Sequence, residues 1–182
     1  MEIIEILLIA FGLAMDAFAV SLSAAATGII TSKRAIFRLS FHFGLFQFLM
    51  PLIGWFAGAR LIPLISSFDH WIAFFLLQFV AIRMIFAGVK ENKESFKNDP
   101  SRGSSLVMLS VATSIDALSV GFSLAMVNIN IWYPSAIIGL VTAILSIIGI
   151  RLGNLFSQKL GKMMEIVGGI ILSGVGIHIL IV

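Results

Sequence analysis

The chain has 182 residues with 12 Lys and Arg, 9 Asp and Glu and a net charge of +3; 59% of it is hydrophobic and 12% charged, with a mean hydropathy of +1.09. Soluble domains run at about 45–50% apolar and about 25% charged, so a soluble fold is excluded and the chain reads as an integral membrane protein. There is no cysteine, which excludes disulfides and thiolate metal sites. The basic residues sit in short loops between apolar runs, so the positive charge does not point to nucleic acid.

A bilayer crossing takes about 20 mostly apolar residues. This predicts an all-α integral membrane protein with six transmembrane helices, at about 3–27, 37–59, 70–89, 105–127, 133–154 and 164–182, in one domain covering 1–182. The first run opens on Met1-Glu2-Ile3-Ile4-Glu5, acidic where a signal peptide is basic, and is expected to stay as a mature helix. It carries Asp16 in Gly12-Leu-Ala-Met-Asp-Ala-Phe-Ala-Val-Ser21. The second carries Gln47, then Pro51, then Gly54 and Gly58 at the small-xxx-small spacing that lets helices approach closely. Pro51 removes a backbone donor and is expected either to kink the helix or to free a carbonyl near residue 47.

The third run contains Arg83, expected to snorkel or to pair with a carboxylate. A polar stretch over about 90–105 follows. The fourth run holds Asp116 in Ala112-Thr-Ser-Ile-Asp-Ala-Leu-Ser-Val-Gly-Phe-Ser123. Read as one unbroken helix, it puts Asp116 on a stripe with Thr113, Ser119 and Ser123, as Asp16 shares its stripe with Gly12, Ala19 and Ser23. The fifth carries Thr142, Gly149 and Gly153, and the sixth Gly168, Gly169, Gly174 and Gly176. Glu5 and Glu165 read as interfacial charges, and His42 and His178 as satisfied or interfacial.

The two aspartates sit in repeated surroundings. At an offset of 100, residues 16–25 and 116–125 share Asp, Ala, Val, Ser and Ala. At an offset of 95, Gly44, Gly54 and Gly58 match Gly139, Gly149 and Gly153, and Gln47 falls opposite Thr142. The third and sixth runs match poorly. Lys33, Arg34, Arg38, Lys90, Lys93, Lys97, Arg102, Arg151, Lys159 and Lys162 flank the odd-numbered loops and only Arg60 the other side. The positive-inside rule then places both termini on the non-cytoplasmic side. Three helices per half, an odd number, invert the second half (about 105–182) relative to the first (about 1–90), an arrangement that puts substrate sites at the midplane.

An intramembrane Asp costs roughly 2.5–3.5 kcal/mol by insertion scales, so two in matching settings point to a shared site rather than to packing. Asp16, Asp116 and Gln47 are the expected ligands, with Thr113, Ser119, Ser123, Ser23, Thr142 and Arg83 as secondary or coupling residues. An all-oxygen set suits Mg²⁺, Ca²⁺ or Mn²⁺. Two close carboxylates without metal retain a proton that an arriving dication expels, so metal/proton exchange follows, with sodium as a possible substitute for the proton. An intramembrane aspartyl protease is a remote alternative, lacking its Gly-x-Gly-Asp pattern. Export of cadmium or of an amino acid is another.

Several stretches in order along the chain carry a family resemblance: Gly12-Leu-Ala-Met-Asp-Ala-Phe-Ala-Val-Ser21, Met50-Pro-Leu-Ile-Gly-Trp55, His70-Trp-Ile-Ala-Phe74 with Arg83-Met-Ile85, Ala112-Thr-Ser-Ile-Asp-Ala117, and Glu165-Ile-Val-Gly-Gly169. With these the chain resembles the MntP-type manganese efflux pumps of bacteria. The resemblance implies six helices in the bacterial cytoplasmic membrane, export of Mn²⁺ as substrate with no prosthetic group, and Asp16 and Asp116 as the membrane acidic pair. Some members have Glu where this chain has Gln47, so a third carboxylate is missing here. The direction of transport comes from the resemblance alone.

Overall fold

The computed structural model describes residues 2–26, 28, 30–65 and 99–153, together with single positions between 71 and 89 and between 163 and 177. Five helices are defined: α1 Ile3–Ala26, α2 Lys33–Ile65, α3 Gly103–Ala112, α4 Ile115–Met126 and α5 Trp132–Gly153. Four stretches, Ile3–Ala26, Lys33–Arg60, Gly103–Met126 and Trp132–Gly153, are long and apolar enough to cross a membrane. The described residues near 71–89 and 163–177 are helical too. Arg83, Glu165 and His178 lie outside the described residues.

α2 starts earlier than hydropathy predicts because Ser32 caps it. The Ala35 amide donates to Ser32 Oγ at 3.1 Å, which satisfies one of the orphan donors of the first turn and lets Lys33 and Arg34 be helical ahead of the apolar stretch. α2 then runs through Pro51 without a break. Phe37, Phe41, Leu45, Leu49, Ile53 and Phe56 form an exposed stripe along it, spaced three or four residues apart as one helical face demands. A stripe of that kind is the surface that hydrocarbon tails solvate.

The fourth apolar run departs from expectation. It is interrupted at Thr113 and Ser114, between α3 and α4, so the continuous stripe from Thr113 through Asp116 does not form. Three hydroxyls in five residues turn back on the helix backbone. Ser110 Oγ donates to Leu106 O at 2.8 Å, Thr113 Oγ1 to Leu109 O at 3.0 Å and Ser114 Oγ to Ser110 O at 2.6 Å. Such bonds compete with the backbone ladder and bend helices. The Ser114 amide accordingly tightens to an i−3 bond with Val111 O at 3.1 Å.

Three seams organise the packing, and glycine makes each possible. In the first, a Cβ on Gly54 would strike the Leu118 carbonyl, and one on Gly58 would lie 2.9 Å from Ala125 Cβ, so α2 and α4 run side by side in parallel. In the second, a Cβ on Gly149 would lie 2.7 Å from the Phe18 carbonyl, and one on Gly153 would lie 2.8 Å from Ala25 Cβ, which makes α1 and α5 parallel as well. The third is reciprocal and antiparallel: a Cβ on Gly44 meets Gly139 O at 2.8 Å, and a Cβ on Gly139 meets Gly44 O at 2.8 Å. The contacts of the first two seams correspond pair by pair at the offsets of 95 and 100 seen in the sequence.

The two ends of the bundle differ in chemistry. At one end Lys33, Arg34, Phe37 and Arg38 line a hollow of about 350 Å³. Arg38 Nη2 donates to Ser101 Oγ at 3.2 Å, and the Asp99 carboxylate receives the Ser101 amide at 2.9 Å and Arg102 Nε at 3.1 Å. At the other end Trp55 Nε1 donates to Ile129 O at 2.7 Å, and Phe56 meets the Trp132 ring edge-on at 6.4 Å.

Candidate metal centre

Asp16 and Asp116 are both withdrawn from the surface, at 8% and 1% relative exposure. Asp16 lies in the middle of unbroken α1, and Asp116 in the first turn of α4, just past the interruption. There the Ala117 amide donates to Asp116 Oδ1 at 2.9 Å, which gives one of the unpaired amides of the helix's first turn a partner.

Gln47 links the two neighbourhoods. Its Nε2 donates to Leu13 O at 3.3 Å and to Thr113 O at 2.9 Å. Both partners are carbonyls, so the NH₂ group must face them, and this fixes which way the amide is turned. Leu13 and Thr113 stand three residues before Asp16 and Asp116, at the same offset of 100. One fully buried amide therefore ties together equivalent points of the first and fourth runs, each one turn from an aspartate. Gln47 Oε1 is left buried with no hydrogen-bond partner among the described residues.

The interruption explains why a glutamine is useful at this point. The Thr113 carbonyl lies where the helix is broken, and a buried carbonyl left unpaired costs about 1–3 kcal/mol. Gln47 satisfies it from the neighbouring helix. Sequence reasoning selected Gln47 as a ligand candidate but missed this bridging role. The signal available was the density of Ser and Thr over 110–114, which predicts a bent helix with a carbonyl to satisfy.

The secondary candidates divide. Thr113 is buried at the interruption, with its hydroxyl committed to Leu109 O and Ser110 O. Ser123 is buried and donates to Ser119 O at 3.0 Å, while Ser119 and Ser23 are half-buried. Thr142 is fully buried, and its hydroxyl has no partner among the described residues. His42 Nδ1–H donates to Arg38 O at 2.8 Å, in line with its reading as a satisfied side chain. No group of three or more His, Asp or Glu side chains gathers among the described residues.

Comparison with known proteins gives this arrangement a lineage. A family model described as "Putative manganese efflux pump" matches residues 30–180. The chain belongs to the manganese efflux pump family. It is 48% identical over 182 residues to the "Putative manganese efflux pump MntP" of Syntrophotalea carbinolica, covering 99% of this chain and 96% of that one. It is also 48% identical over 182 residues to the like-named protein of Citrifermentans bemidjiense, covering 100% and 97%, and 45% identical over 186 residues to that of Nitratidesulfovibrio vulgaris, covering 99% and 91%. No solved structure matches. Membership in a family of pumps gives no support to the aspartyl protease alternative.

Proposed function

We propose that the chain exports manganese(II) across the bacterial cytoplasmic membrane as a secondary exchanger, with Asp16, Asp116 and Gln47 Oε1 as the oxygen ligands of a site inside the membrane. The observation that carries this reading is the Gln47 amide bonded to both Leu13 O and Thr113 O. It draws together the two runs that bear the aspartates and leaves its own carbonyl oxygen available among the described residues. Two carboxylates balance the charge of one dication, and hard oxygen donors match Mn²⁺. In the metal-free state the same pair holds a proton that metal displaces, which couples efflux to proton entry.

The architecture in this reading is six helices in two inverted repeats, of residues about 1–90 and 105–182. Three observations support it. The α1–α5 seam repeats the α2–α4 seam contact for contact, and the Gly44–Gly139 contact is reciprocal, as on a two-fold axis. Gln78 and Ser173, also 95 apart, bond each other twice, at 2.9 and 2.7 Å, so runs three and six share the offset that their residue types obscure. Finally, α2 and α4 are parallel although consecutive spans alternate, and Arg38 near the start of α2 reaches Ser101 just before α3. The chain thus regains its starting side after α2. Lys33, Arg34, Arg38 and Arg102 gather at that end, which we read as cytoplasmic with both termini opposite.

Flux of Mn²⁺ into proteoliposomes, with and without a pH gradient, tests the proposal. Asp16→Asn and Asp116→Asn should each reduce flux to background while the protein stays monodisperse. Full flux in either variant refutes the site. Gln47→Glu adds a carboxylate and should change metal preference or the number of protons exchanged; an unchanged profile removes Gln47 from the ligand set.

A further inference from the structure

The first turn of α2 opposes the usual electrostatics of a helix start. Unpaired amides give a helix N-terminus positive character, which acidic side chains ordinarily offset. α2 has no acidic residue in its first turn; it carries Lys33 and Arg34 there, with Arg38 one turn on. Lys33 and Arg34 are both exposed, and neither makes an ion pair among the described residues. The Asp99 carboxylate at this end is engaged by Arg102 Nε at 3.1 Å and by the Ser101 amide at 2.9 Å. Arg38 bonds the neutral Ser101 hydroxyl at 3.2 Å. Orientation in the membrane accounts for cations on this side of the protein, but not for their convergence on one hollow.

Lys33, Arg34, Phe37 and Arg38 together line that hollow, of about 350 Å³, within the range of small-ligand clefts at about 300–1,000 Å³. Its three cations select an anion, and phosphate oxygens suit guanidinium and ammonium donors alike. The neighbouring surface selects among phosphates. Lys33, Phe37, Phe41 and Leu45 follow one another at four-residue spacing, so the hollow heads the exposed apolar stripe of α2. Phe37 is 68% exposed and stacks on Phe41 at 5.6 Å, with 17° between the ring planes. From Phe37 to Leu45 the helix rises about 12 Å, close to the depth of one leaflet's hydrocarbon, about 15 Å. A lipid whose phosphate sits in the hollow lays an acyl chain along this row, whereas a free phosphate uses none of it. The ammonium of a zwitterionic headgroup is repelled by the same cations that attract an anionic one.

We propose that Lys33, Arg34 and Arg38 hold the phosphate of an anionic phospholipid, with its acyl chain along Phe37, Phe41 and Leu45. The site depends on the membrane embedding of α2 and not on the manganese-export reading.

Native mass spectrometry of the full-length protein in detergent tests this, with phosphatidylglycerol titrated against phosphatidylcholine of the same acyl chains. Wild type should take up phosphatidylglycerol saturably and at least tenfold more tightly than phosphatidylcholine. Lys33→Gln combined with Arg34→Gln should weaken phosphatidylglycerol binding at least tenfold, with thermal unfolding of the lipid-free protein unchanged. Should the double variant fail to fold, Arg34→Gln alone should give part of the same loss, whereas Lys33→Arg should bind as wild type does. Arg151 is an exposed cation at the same end of the bundle, between Gly149 and the Gly153 that packs on Ala25, and Arg151→Gln should also bind as wild type does. Equal affinity for the two lipids overturns the proposal, and so does undiminished binding in the double variant or in Arg34→Gln. A loss in Arg151→Gln as large as in the double variant overturns it too, because the attraction would then belong to surface charge at large. Displacement of the lipid by an equal concentration of inorganic phosphate would leave a bare anion site and likewise overturn it. Asp116→Asn should keep phosphatidylglycerol binding while losing Mn²⁺ flux; retained flux would refute the carboxylate site and leave the lipid site standing.

Discussion

The seam between α2 and α4 and the seam between α1 and α5 use the same glycine spacing to bring backbones into contact, and they differ in what lies between the glycines. The first holds Gln47, Pro51 and Gly121, with the Gln47 NH₂ group bonded to two carbonyls and only its Oε1 left over; the second holds Thr142, Ser146 and Ser21, with hydroxyls that bond to nothing described. Close approach is therefore a property of the glycines alone. Polarity within the seam is set separately, by whether a side chain is long enough to reach a carbonyl on another helix. Gln47 is long enough to bond both Leu13 and Thr113, while Thr142, its counterpart at an offset of 95, is too short to do the same.

The most severe way to break the comparison is to fill the glycines. In Gly54→Ala the new methyl meets the Leu118 carbonyl, and in Gly149→Ala it meets the Phe18 carbonyl at 2.7 Å. Neither obstacle is a side chain that can swing aside. Overpacking of this kind costs typically 1–3 kcal/mol, and Gly54→Ala should be the worse because its contact is closer. Thermal unfolding in detergent should rank Gly54→Ala below Gly149→Ala, and both below wild type. Equal stability of all three would mean that the seams can open without penalty.

Next in size is the exchange of polar for apolar groups at matched positions. Gln47→Leu leaves the Thr113 carbonyl without its partner at a broken helix, a loss of about 1–3 kcal/mol. Thr142→Val removes a buried hydroxyl that makes no bond to a described residue, so the variant should be at least as stable as wild type. Chemical unfolding of the two variants side by side measures the difference. A Thr142→Val loss as large as that of Gln47→Leu would show that the Thr142 hydroxyl has a structural partner.

Much of this was legible in the sequence. The buried aspartates, the close-packing glycines and the two offsets all follow from residue type and spacing, because apolar length and small side chains report directly on membrane crossing and helix approach. Two features were harder to read. Hydropathy does not register the interruption at Thr113 and Ser114, since the hydroxyls that cause it act through backbone competition over a single turn. The pairing of Gln78 with Ser173 was hidden because the two residue types differ: the amide bonds both a hydroxyl and a carbonyl, a complementarity that a search for matching residues passes over.

The smallest expected effect lies outside the membrane, at the clamp that ties the start of α2 to the start of α3. Burial by itself would raise the Asp99 pKa, but the hydroxyl and amide of Ser101, followed by the charges of Arg102 and Arg38, outweigh it and hold the carboxyl below the usual carboxylate range. A carboxyl depressed in the folded state stabilises at pH above its unfolded value and loses that contribution as pH falls through the folded value. The clamp should therefore be intact at neutral pH and weaken only below about pH 4. Ser101→Ala removes the hydroxyl bond of 2.7 Å and should move the Asp99 titration, followed by carboxyl ¹³C shifts, upward towards the ordinary range. An unmoved titration would assign the depression to the arginines instead. Because Asp99 is a third exposed, overall stability should hardly change, and neither seam should respond, since both lie inside the membrane beyond this contact.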